Sequence, residues 1–201
     1  MIRTVLGMFL ATFFLGTAQA GTLEIANSSG ISFSGYDGQP KTITGAQSSG
    51  YWGSLFTTSV GTFFATYLGN ESGYVNSFSF GFGDGTLLES NYLGKTISKS
   101  VDAGTVGFYF SDDAGSGHSF ANGQQQTIPL GFAILNGQSN MYGTFQYLLG
   151  FNDSYNGDAD YDDFVVGVNF ISAVPEPETW GMLAVGLGLI GFGARRRKTE
   201  L

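Results

Sequence analysis

The chain has no cysteine, which excludes disulfide staples, cysteine-ligated zinc, iron–sulfur clusters and thiol catalysis. Its single histidine, His118, leaves no polyhistidine metal site. Basic residues are scarce as well. Between residues 21 and 173 only Lys41, Lys95 and Lys99 carry positive charge, and arginine is absent. Thirteen of the 16 carboxylates lie in that stretch, all but Glu176, Glu178 and Glu200. This argues against nucleic acid as a partner, because its phosphates need a lysine- and arginine-rich face to neutralise them. Long helical runs are missing from the same region, which is filled with Gly, Ser, Thr, Asn and aromatics.

The two ends differ from this middle. Arg3, the apolar run VLGMFLATFFLG and Ala18-Gln19-Ala20 form a charged n-region, an h-region short for a bilayer span, and an A-x-A site. Residues 1–20 are expected to be a signal peptide cut by signal peptidase after Ala20; the competing reading is a buried N-terminal helix. Residues 174–201 place Pro175, Glu176 and Pro177 before an apolar stretch from Thr179 to Ala194, then Arg195, Arg196, Arg197 and Lys198. Sixteen residues make about 24 Å of helix against a hydrocarbon core of about 30 Å, so 179–194 is a minimal transmembrane helix. The basic cluster stays cytoplasmic, which puts everything before Pro175 outside.

This order of parts resembles the PEP-CTERM sorting signal of Gram-negative bacteria that make exopolysaccharide. The resemblance implies that an exosortase, a membrane cysteine transpeptidase, recognises Pro175, Glu176 and Pro177 and removes the tail. It also implies a protein held at the inner membrane before processing and found at the cell surface or outside afterwards. The helix would hold the substrate at the membrane while the Pro-x-Pro keeps the recognition strand extended. An ordinary single-span anchor would have the same topology.

Residues 21–173 are then one exported domain. Its candidate strands are Thr22–Ala26, Gly61–Leu68, Ser77–Phe82, Thr105–Ser111, Leu130–Leu135, Tyr142–Leu149 and Asp163–Ile171. Phe78, Phe80 and Phe82 alternate with Ser and Gly, and Phe164, Val166, Val168 and Phe170 repeat the period, the signature of half-buried strands. Turn clusters at Ser48–Gly50, Gly83–Gly85, Asn122-Gly123, Asn136-Gly137 and Asn156-Gly157 separate them. The expected fold is all-β, an antiparallel, jelly-roll-like β-sandwich with a phenylalanine-rich core.

The strongest chemical candidate is FNDSYNGDADYDDFVVGV, residues 151–168. Asp153, Asp158, Asp160, Asp162 and Asp163 crowd five carboxylates into eleven positions, and hard oxygen ligands at such density suit calcium. On an EF-hand loop, Asn152, Ser154, Asn156, Gly157, Asp160 and Asp163 take positions 1, 3, 5, 6, 9 and 12. Asn replaces the first Asp, Asp replaces the last Glu, and a strand follows where a helix belongs. The pattern reads as a calcium loop on a β scaffold, with a solvated, Asx-turn-rich loop as the alternative. Its end, Asp158, Asp160, Tyr161, Asp162, Asp163, Phe164 and Val165, also resembles the close of an Asp-rich domain of unknown function in bacterial surface proteins, which implies an extracellular β domain and calcium. The segment Thr105–Asp113 fits that domain more loosely. YLGNESGYVNSF, residues 67–78, resembles a segment of other PEP-CTERM proteins, and Glu71 is its only charge.

His118 lies near Asp112, Asp113, Ser116 and Ser119, yet proximity in sequence does not make a triad, and the Gly-Ser setting reads as an exposed loop. No carboxylate pair is singled out for glycoside hydrolysis. The expected role is therefore non-enzymatic: a surface or matrix protein delivered by its tail, stabilised by calcium and associated with exopolysaccharide in a biofilm. The alternative is a carbohydrate-binding module using Tyr51, Trp52, Tyr142 and Tyr147 as stacking platforms.

Overall fold

Alternating aromatic and small polar residues favour pleated, half-buried backbone, and β-strands are the main regular structure of the computed structural model. It describes residues 21–33, 47–124, 130–153, 159–173 and 181–190. The chain divides into two units, Ala20–Val174 and a second made of Met1–Gln19 with Pro175–Leu201. In the second unit the described residues, 181–190, form a helix.

In the first unit the strands are β1 (Leu23–Ser32), β2 (Ser49–Thr57), β3 (Gly61–Gly69), β4 (Ser77–Ser79), β5 (Thr86–Leu88), β6 (Thr96–Val101) and β7 (Gly104–Thr105). The second half adds β8 (Tyr109–Ser111), β9 (Ser119–Ala121), β10 (Gly131–Asn136), β11 (Ser139–Asn140), β12 (Gly143–Thr144), β13 (Tyr147–Asn152) and β14 (Phe164–Ser172). An eight-stranded sheet runs β1-β2-β10-β13-β14-β3-β6, with β7 also paired to β2. A four-stranded sheet runs β5-β4-β8-β9, and β11 pairs with β12. Every pairing is antiparallel.

Aromatic rings join the two larger sheets. Phe110 of β8 stacks on Phe151 of β13 at 5.1 Å and meets Phe132 of β10 at 5.4 Å. Phe63 of β3 meets Phe80, just past β4, edge-on at 5.9 Å. The phenylalanine-dominated core is as the sequence implies. A second, smaller cluster holds Leu68, Ala133, Leu135, Phe145, Leu148, Tyr161 and Val165. Central strand β14 thus packs Phe164, Val166 and Val168 into one cluster and Val165 into the other.

Several expected strands differ in extent. Ser77–Phe82 stops at Ser79, because Gly81 and Gly83 take φ of 111° and 87°, and Phe82 is fully exposed instead of sharing the face of Phe78 and Phe80. Thr105–Ser111 is two strands: β7 serves the large sheet and β8 the small one, and buried Val106 and Phe108 carry the crossing. Tyr142–Leu149 likewise divides into β12 and β13. Ser49 and Gly50, read as part of a turn, begin β2, whose Gly50 lies so close to Ile134 O that a Cβ would stand 2.8 Å from it. β1 runs on past Ala26 through a register irregularity in which Asn27 takes φ 52°, a bulge that absorbs residues typical of turns.

Candidate metal centre

The site begins where β3 leaves the large sheet. Tyr67, buried and stacked on Phe164 at 4.8 Å, donates its hydroxyl hydrogen to Asn70 Oδ1. Burial and the charge of Glu89 push the Tyr67 phenol up to about 12, so the bond has a firm donor. The following loop is held by acids from elsewhere. Ser72 Oγ and Asn76 Nδ2 donate to Asp153 Oδ2, the latter at 2.6 Å. The backbone amide of Val75 donates to Asp113 Oδ1 and that of Asn76 to Glu89 Oε1, both at 2.8 Å. Burial, opposed by the Asn76 amide and reinforced by Asp153 and Asp113, raises the Glu89 carboxyl above its ordinary value.

On the other side is the segment leading into β14. Tyr161 has φ 60°, uncommon for a residue with a side chain, and its ring is buried in the second cluster, edge-on to Phe33 at 5.1 Å. Gly150 of β13 makes the approach possible, since a Cβ there would stand 2.1 Å from Tyr161 O. Asp160 and Asp162 flank this anchored tyrosine and are 1% and 0% exposed.

Here the two segments meet. Glu71, Asp160 and Asp162 each offer a carboxylate oxygen, and these oxygens lie within 4.8 Å of one another. Both oxygens of Asp162 are buried without a hydrogen-bond partner. Burial first, then the neighbouring carboxyls of Asp160 and Glu71, drive the Asp162 carboxyl far up, to about 10. Asp163 is pushed up to about 7, by burial first, countered by the Asp153 amide, and then by the charges of Asp153 and Asp160. That amide donates to Asp163 Oδ2 at 2.8 Å.

Of the five aspartates expected to bind metal, Asp160 and Asp162 come together with Glu71. Asp153 and Asp163 are engaged in the hydrogen bonds that tie the two segments to each other, and Asp158 lies outside the described residues, as do Ser154, Asn156 and Gly157. Glu71 was absent from the expected ligand set. Its signal was its position as the one charge in residues 67–78.

The other candidates are dispersed. His118 is half-buried, not exposed: its Nδ1 lies 3.0 Å from Asp112 Oδ1, whose oxygen also accepts the Ala114 amide at 2.9 Å. Trp52 lines a concavity with Asn27, Ser29, Ser54 and Gln124, Tyr142 lines a separate groove, and Tyr147 packs against the main core.

Residues 173–198 match the PEP-CTERM protein-sorting motif, so the chain carries the tail of an exosortase substrate. The class that this tail defines is that of exported proteins first anchored in a membrane. Pro175, Glu176, Pro177, Arg195, Arg196 and Arg197 lie outside the described residues, as does the 1–20 segment. Among the described residues no helix is long and apolar enough to cross a membrane. No curated protein and no solved structure matches the chain.

Proposed function

We propose that this is a non-enzymatic surface or extracellular-matrix protein, sorted by an exosortase, folded as a jelly-roll-like β-sandwich stabilised by calcium, and associated with exopolysaccharide in a biofilm. The match of residues 173–198 to the sorting motif carries the proposal. The rings shared between the two larger sheets support the sandwich, and the carboxylate cluster supports the cation. Scattered aromatics favour this reading over a carbohydrate-binding module, which the Trp52 concavity and exposed Tyr51 support. A glycan array would test that alternative.

The sorting test uses the host. Deleting the exosortase should leave a full-length, membrane-retained species, and replacing Pro175, Glu176 and Pro177 with alanine should do the same. Unchanged mass and location in both strains would overturn the sorting assignment.

A further inference from the structure

We propose that Glu71, Asp160 and Asp162 together bind one calcium ion that ties the loop after β3 to the segment before β14. The proposal rests on the calcium reading above and names its site and its action. Two oxygens bound to one calcium at about 2.4 Å each stand at most about 4.8 Å apart, and the three carboxylate oxygens meet that limit.

Asp162 differs from a solvated surface carboxylate. Its side chain is 0% exposed, and neither oxygen has a hydrogen-bond donor. A buried carboxylate left this way is costly unless a cation or a proton neutralises it. The described lysines are placed elsewhere: Lys99 Nζ lies 2.8 Å from Asp84 Oδ2 and Lys95 Nζ 3.1 Å from Asn91 Oδ1. All three candidate ligands are oxygens, with no nitrogen or sulfur, which selects a hard cation. Magnesium sheds water reluctantly and binds through few protein ligands, so a dry three-carboxylate site favours calcium. Half-buried Glu71 forms the side open to solvent, where the ion enters.

Local structure supports the clamp. Gly150 and the φ of Tyr161 fix Asp160 and Asp162, while Ser72 and Asn76, bonded to Asp153, hold Glu71 beside them. These segments are distant in sequence, so an ion that binds both stabilises the closed fold.

The test is calcium titration by calorimetry on the whole chain, extracted in mild detergent and stripped with chelator, with terbium luminescence excited through tyrosine as a second readout. The wild type should bind one ion per chain in this site and melt at higher temperature with calcium. Glu71→Gln should weaken calcium binding about tenfold or more. Asp162→Asn should lose binding, yet melt above the wild type in chelator at pH 8, because a neutral amide replaces a carboxyl that folding must either protonate or leave charged in the core. Asp84→Asn, on the surface ion pair, should bind as the wild type does.

If the wild type binds calcium and both site variants bind it equally well, this ligand set is wrong while the calcium reading stands. No binding and no thermal shift in the wild type would overturn both. An Asp162→Asn variant that melts below the wild type in chelator would identify a carboxyl built into the core by its own hydrogen bonds and overturn the clamp.

Discussion

Asp162 and Asp163 show how burial turns a carboxylate into a pH-dependent element. Their folded pKa values are raised, Asp163 to about 7 and Asp162 to about 10, so without metal the native state holds protons that the unfolded chain releases near pH 4. The sign follows: that stability is complete below about pH 4 and is lost as pH rises through the folded values. In chelator the chain should therefore melt at lower temperature at pH 8 than at pH 5. Calcium should reverse the order, because the ion competes with protons for the same oxygens. Equal melting temperatures in chelator would show that the cluster is hydrated. At the core, Phe110 touches rings from both sheets and is fully buried. Phe110→Ala should cost about 3–5 kcal/mol in denaturant titrations.

At the scale of elements, side chains and glycines complete what strand pairing leaves open. Asn122, in the turn after β9, accepts the Leu55 amide hydrogen at 2.9 Å and donates to Leu55 O and Val106 O at 2.9 and 2.7 Å. It fastens the end of the small sheet to β2. Asn122→Ala would leave the amide of fully buried Leu55 unbonded, at a cost of about 1–3 kcal/mol measurable by equilibrium unfolding. Gly150→Ala pushes a methyl group into Tyr161 O. It should destabilise the fold by about 1–3 kcal/mol and weaken calcium binding through displaced Asp160 and Asp162. Full affinity in that variant would show that the segment before β14 is not held by β13. The edges are guarded too: β6 carries Lys99, and β1 is mostly exposed and bulged, features that oppose edge-to-edge pairing between molecules.

For the whole molecule, the proposed calcium ion would act where the sorting tail sends the chain. A ligand that binds only the folded state adds RT ln(1 + [L]/Kd), so at a calcium concentration about 100 times Kd the gain is about 2.7 kcal/mol. An exported chain with a site of about 10 μM would gain that much in millimolar calcium and almost none at cytosolic levels. Thermal melts from micromolar to millimolar calcium should show a rise of several degrees. A flat profile would remove calcium from the account.

What the sequence determined by itself is whatever depends on local order. The sorting tail was legible because Pro-Glu-Pro, an apolar stretch and a basic cluster follow one another in the chain, and the β class because Phe and Val alternate with small residues. The aspartates announced themselves through local density. Only the tertiary structure decided that Glu71 joins Asp160 and Asp162, because adjacent antiparallel strands β3 and β14 bring their neighbouring loops together across the intervening chain. It also decided that Asp153 and Asp163 act as hydrogen-bond partners in this site, since donors such as Ser72 and Asn76 reach them only across that fold. Phe82 carries the same lesson in reverse: its alternation promised burial, but the positive φ of Gly81 and Gly83 ends the pleat before it. Period alone cannot reveal where a backbone turns away from its core.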